Sequence, residues 1–137
     1  MKKNKINRIT TGTREWSDYS VNCITGCSNN CRYCYAKKIA IRFKRKTNSN
    51  WKKMEIRFND LNKTYNKRKG RFMFPTSHDI TDNKKVLSAC TKVLENILLS
   101  GNEVLITTKP RINVIKFICE KFNGFQGTDS ISFYYYF

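Results

Sequence analysis

Residues 103–110 read Glu103-Val104-Leu105-Ile106-Thr107-Thr108-Lys109-Pro110. The run from Glu103 to Thr108 is rich in β-formers and closes on a Lys-Pro turn, which predicts a strand. On its N-terminal side Val86, Leu87, Cys90, Val93, Leu94, Ile97 and Leu98 fall on one face at helical spacing. They predict a helix capped by Thr81 or Asp82 that runs to about Leu99 and ends at Ser100-Gly101-Asn102. On its C-terminal side Ile112, Val114, Ile115, Ile118 and Cys119 predict a second helix to about Phe122, broken by Gly124 and Gly127. A strand held between two amphipathic helices is the repeating unit of a parallel sheet.

The same alternation continues outward. Arg71-Phe72-Met73-Phe74, closed by Pro75, reads as a buried strand. Tyr19–Cys23 reads as a short strand, and Ile131–Phe137 as a strand by composition. Tyr35 to Arg45 reads as a helix, with Ile39, Ala40 and Phe43 at helical spacing, and Met54–Phe58 alternates as a short strand or surface segment. The expected fold is α/β, with a parallel sheet and right-handed crossovers. In such sheets the working residues stand on loops past the carboxyl ends of the strands. Three segments fall there: a cysteine loop at 27–34, Ser77-His78-Asp79, and Thr107-Thr108-Lys109. No internal repeat and no Pro/Gly/Ser linker interrupts the chain, so residues 1–137 are expected to form a single domain with residues 1–14 as a basic extension.

The chain has 137 residues and 27 Lys and Arg against 10 Asp and Glu, for a formal charge of +17. Such an excess points to an anionic partner, nucleic acid first, gripped by the Lys/Arg-rich stretch from Lys37 to Arg71. A second reading stays open beside it. The abundance of Lys, Asn, Ile, Tyr and Phe matches A/T-rich codons, and drift in base composition raises Lys without selection for binding. The polar N-terminus is no signal peptide, and no apolar run is long enough to span a bilayer. These features exclude a membrane partner and predict a cytoplasmic chain with reduced thiols, whose clustered cysteines read as ligands rather than crosslinks.

Those cysteines lie in Cys27-Ser28-Asn29-Asn30-Cys31-Arg32-Tyr33-Cys34. Three thiolates on one loop can hold three irons of a 4Fe–4S cluster and leave the fourth open. Two other readings compete. Cys23, Cys27, Cys31 and Cys34 together supply four thiolates for a structural zinc, although such sites usually combine two separate pairs. Alternatively the cysteines are ordinary residues, as Cys23 in a strand and Cys90 and Cys119 in helix cores are expected to be.

The spacing of Cys27, Cys31 and Cys34, with Tyr33 in the aromatic position before the last, resembles the signature of the radical S-adenosylmethionine (SAM) superfamily. Asn22-Cys23-Ile24-Thr25-Gly26-Cys27, Cys34-Tyr35-Ala36, Phe74-Pro75-Thr76-Ser77-His78-Asp79 and Gly101 to Pro110 look like its branch related to spore photoproduct lyase. The similarity spans about residues 15–123. It implies a partial (βα) barrel, a 4Fe–4S cluster on Cys27, Cys31 and Cys34, and SAM bound near Tyr33, Ser77, His78, Asp79, Thr108 and Lys109. It further implies reductive cleavage of SAM to a 5′-deoxyadenosyl radical, hydrogen abstraction from a substrate such as nucleic acid, and an electron donor of flavodoxin or ferredoxin type. Superfamily cores usually carry six βα units, whereas about three and the start of a fourth are read here. The expectation is therefore the N-terminal half of such a barrel, an incomplete core of doubtful activity alone. The alternative is a non-enzymatic basic nucleic-acid-binding protein with a four-cysteine zinc site.

Overall fold

A computed structural model of the chain describes residues 17–123 and 131–135. The basic extension at 1–14, the breaks at Gly124 and Gly127, and the end of the aromatic run at Tyr136 and Phe137 lie outside the described residues. The fold is mixed α/β around a four-stranded parallel sheet. Its strands are β1 (Tyr19–Ser20), β4 (Arg71–Phe74), β5 (Glu103–Thr108) and β6 (Ile131–Tyr135), in that spatial order. Between β1 and β4 lie β2 (Ile24–Thr25), α1 (Tyr35–Arg42), β3 (Glu55–Ile56) and α2 (Phe58–Leu61). The crossovers carry α3 (Lys84–Leu99) and α4 (Ile112–Lys121).

Sequence pattern accounts for the register. Phe72 pairs with Val104 and Phe74 with Ile106, and all four side chains are buried. Strands in a helix-covered parallel sheet bury both faces and so read as continuous apolar runs. Val86, Cys90, Val93, Leu94 and Ile97 form the stripe of α3 that packs on them, and Val114 and Ile118 do the same from α4. Each fully buried aliphatic side chain contributes about 1.5–3 kcal/mol of transfer free energy.

Several expectations are corrected. The cap of α3 is Asn83, whose side chain accepts from the N–H groups of Lys85 and Val86; Thr81 is drawn into the interior instead. Cys119 lies on the exposed side of α4, so it is not a core residue, whereas Cys90 is wholly buried. The first strand ends at Ser20, and Cys23 follows it in the core. Glu55–Ile56 pairs antiparallel with Ile24–Thr25, a second small sheet that fixes the chain just before the cysteine loop. No helix among the described residues is long and apolar enough to cross a membrane.

Gly26 joins that small sheet to the cysteine loop with φ of +100°, and a Cβ there would stand 2.4 Å from the Lys53 carbonyl oxygen and 2.7 Å from that of Trp51. Gly26→Ala is expected to destabilise the chain by about 1–3 kcal/mol from the backbone conformation alone, with the backbone clash adding to it. Urea denaturation of the variant checks this. A loss under about 0.5 kcal/mol, within the scatter of neutral surface changes, would show that the close approach is absent.

Candidate metal and cofactor site

Because all four strands of the main sheet run parallel, their carboxyl ends share one rim. The loop after β1 carries the cysteines, the loop after β4 carries Thr76 to Asp79, and β5 ends on Thr108. Short polar side chains hold these segments together. Asn22 donates to Thr76 Oγ1 at 2.6 Å, and its carbonyl oxygen accepts from the N–H groups of Thr76 and Ser77 at 2.7 and 2.8 Å. Amides placed on a turn in this way satisfy backbone donors that no strand partner reaches.

The cysteine loop is built from its own residues and from the segment that follows α1. Asn30 takes a positive φ, and its side-chain oxygen accepts from Lys37 Nζ at 2.8 Å. Cys34 caps α1, its sulfur accepting from the Lys37 N–H at 3.4 Å. Cys27 packs with Ala40 and the buried Trp51, and its N–H donates to the Trp51 carbonyl at 3.0 Å. Burial raises the Cys27 pKa above the ordinary thiol value, so metal binding must displace its proton. Beneath the loop, Lys46 is buried, with Nζ donating to the Lys53 carbonyl at 2.8 Å and ion-paired to Glu55 at 3.1 Å. That lysine belongs to the 37–71 basic stretch but is unavailable to any outside anion.

Cys27, Cys31 and Cys34 line one cavity of about 210 Å³ together with Tyr33, Tyr35, Trp51, Ser77 and His78. Of the nine residues expected at the site, six meet there. Among the described residues no three His, Cys, Asp or Glu side chains form a ready ligand group for a single metal ion. Cys23, the fourth thiol of the zinc reading, is not in the cavity. It sits in the main core beside Cys90, whose hydrogen bond lowers the Cys23 thiol pKa and, with burial, raises its own.

The other three expected residues, Asp79, Thr108 and Lys109, do not line this cavity. Asp79 is fully buried and braces the rim instead. Its Oδ1 accepts from the Ile80 N–H at 2.9 Å, Thr108 Oγ1 at 2.6 Å and the Lys109 N–H at 3.2 Å. Its Oδ2 accepts from Asn29 Nδ2 at 2.7 Å and pairs with the Arg111 guanidinium, which also donates to Asn29 Oδ1 at 2.5 Å. A carboxylate with this many donors has no lone pair to spare for another, and of the Ser77-His78-Asp79 run only Ser77 and His78 line the cavity. His78 is likewise committed. Its Nε2 accepts from the Cys23 N–H at 3.2 Å, which makes Nδ1 the protonated nitrogen, 3.0 Å from the Asp79 carbonyl. Asn29, Arg111, Asn22 and Trp51 were not singled out from sequence. Asn29 lies inside the cysteine spacing and Arg111 two residues past Lys109, so proximity to those motifs was their only signal.

The model of one protein family, described as a protein of unknown function (DUF5131), matches residues 11–130. No curated protein and no solved structure matches the chain.

Proposed function

We propose that this chain, which belongs to the DUF5131 family of unknown function, is a 4Fe–4S protein of radical SAM type acting on nucleic acid. One observation carries the reading: the three thiols of the Cys27-x3-Cys31-x2-Cys34 loop line a single cavity with Ser77 and His78 at the carboxyl rim of a parallel sheet. The donor set fits the group, because three soft thiolates with no fourth cysteine in the cavity leave one iron for an outside ligand. Cys27, Cys31 and Cys34 would hold the cluster. When bound, the cluster and SAM supply a 5′-deoxyadenosyl radical that takes a hydrogen atom from the substrate.

The chain's own residues do the positioning. Asn22 fixes the backbone of Thr76 and Ser77 and presents the Ser77 hydroxyl as an acceptor for the SAM ammonium. His78, with both ring nitrogens engaged, holds the Cys23 backbone rather than moving protons. Asp79 and Arg111 clamp Asn29 and with it the spacing of Cys27 and Cys31. In this reading the sheet is the first part of a partial barrel, the electron comes from a flavodoxin or ferredoxin, and the chain works in the cytoplasm, where thiols stay reduced.

Anaerobic reconstitution with iron and sulfide tests the assignment. The expected product is brown, with thiolate-to-iron charge-transfer absorption and about four irons and four sulfides per chain. Its reduced electron paramagnetic resonance signal should change when SAM is added. A colourless chain that keeps one zinc ion after the same treatment overturns the proposal.

A further inference from the structure

A second cleft opens beside the cysteine cavity and shares Tyr35, Ala36, Trp51, Thr76 and Ser77 with it. It has a volume of about 230 Å³ and also contains Arg45 and Arg57, yet no Asp or Glu lines it. Arg57 is held at 3.0 Å by Asp60, which fixes its position and offsets part of its charge. The Trp51 indole N–H is buried and has no hydrogen-bond partner among the described residues. A buried donor without an acceptor costs about 1–3 kcal/mol, and Trp51 lines both this cleft and the cysteine cavity, so an acceptor group bound in either would relieve that cost. Tyr35 is 75% exposed at the mouth of both cavities. Phe43, 64% exposed near the other end of α1, lies under the Arg42 and Arg45 guanidinium groups at 5.8 and 5.9 Å.

Exposed rings interleaved with arginines are the chemistry that grips unpaired nucleotides: the rings stack on bases and the guanidinium groups take phosphates. We propose that this cleft binds one nucleotide of a single-stranded nucleic acid, with its phosphate between Arg45 and Arg57 and its base against Tyr35. Stacking on Tyr35 takes a base face that its neighbours would cover in a duplex, so the strand is single. A base stacked on Tyr35 stands at the mouth of the cysteine cavity, within the region where the cofactor chemistry proposed above would act. The inference deepens the nucleic-acid part of that function and rests on it, but not on the cluster.

Fluorescence anisotropy of labelled oligothymidylate with the metal-free chain is the test. Tyr35→Ala is expected to weaken binding about tenfold. The Arg45→Ala/Arg57→Ala double variant is expected to reduce the slope of log affinity against log salt by about 1.4. Both targets are partly or largely exposed, and Lys116→Ala/Lys121→Ala, two exposed lysines on α4, serves as the charge-matched control with little expected effect. Equal loss in that control would show diffuse attraction and overturn the proposal. Equal or tighter binding of the same strand paired with oligoadenylate overturns it too, as does displacement of the oligonucleotide by SAM, which would give the cleft to the cofactor. Because the assay needs no metal, failed cluster assembly and failed strand binding are separate results.

Discussion

Asp79→Ala is expected to cost about 3–5 kcal/mol of folding stability, the largest loss from any single substitution on the rim. The carboxylate is wholly buried, and its removal takes an acceptor from Thr108, Asn29 and two backbone N–H groups and leaves the Arg111 charge without its carboxylate. Burial alone would raise the Asp79 pKa. The hydrogen bonds from Thr108, Asn29 and Arg111, with the Arg111 charge, outweigh it and hold the group below the usual carboxylate range. The sign of the pH dependence follows. A folded pKa below the unfolded value of about 3.9 gives stabilisation that is complete well above pH 4 and lost as pH falls through the folded value. Urea midpoints of the two metal-free chains should therefore differ most at neutral pH and approach one another as the pH falls below about 4. A constant gap across that range would show that Asp79 contributes packing and no charge.

Cys31→Ala is expected to abolish cluster assembly while leaving the fold intact. Cys31 is the most informative of the three thiols, because the other two also have structural roles. Cys27 packs against Trp51 and Ala40, and Cys34 caps α1. Cys31 is half-exposed, and removing its side chain is expected to change stability by no more than about 0.5 kcal/mol. After reconstitution the variant should hold much less than about four irons per chain and show no charge-transfer colour, with an unchanged circular dichroism spectrum and melting curve. A variant as brown as the parent chain would remove Cys31 from the ligand set and with it the argument from spacing.

The central elements were legible because each carries its own period. Glu103–Thr108 and Arg71–Phe74 are apolar runs that end at Lys-Pro and Pro, and α3 and α4 show apolar stripes at helical spacing. The parallel sheet follows from their alternation. The segment between α1 and β4 was harder to read. Its organisation depends on Lys46, a long cation that sequence treats as surface but that is buried against two carbonyls and Glu55. The place of Asp79 was legible but its task was not. A Ser-His-Asp run after a strand marks a rim, yet whether the carboxylate faces a ligand or the interior depends on Asn29, Thr108 and Arg111, from three other segments. For the same reason Trp51 gave no signal, since an isolated aromatic in a basic stretch reads the same whether it lies on the surface or beneath a cysteine loop.

The clamp on the cysteine loop joins Asn29 to Arg111, 82 residues further along the chain. At synthesis rates of about 5–20 residues per second, roughly 4–16 s separate the emergence of the two partners. During that interval Cys27, Cys31 and Cys34 leave the ribosome on a loop whose brace has yet to be made. The thiols are then open to oxidation or to capture of an adventitious ion, and the spacing of Cys27 and Cys31 is braced only once β5 and the start of α4 have been translated. Under the proposed function, fidelity of cluster loading is thus tied to the order of translation, and a pause before Arg111 would lengthen the exposed interval without changing a residue.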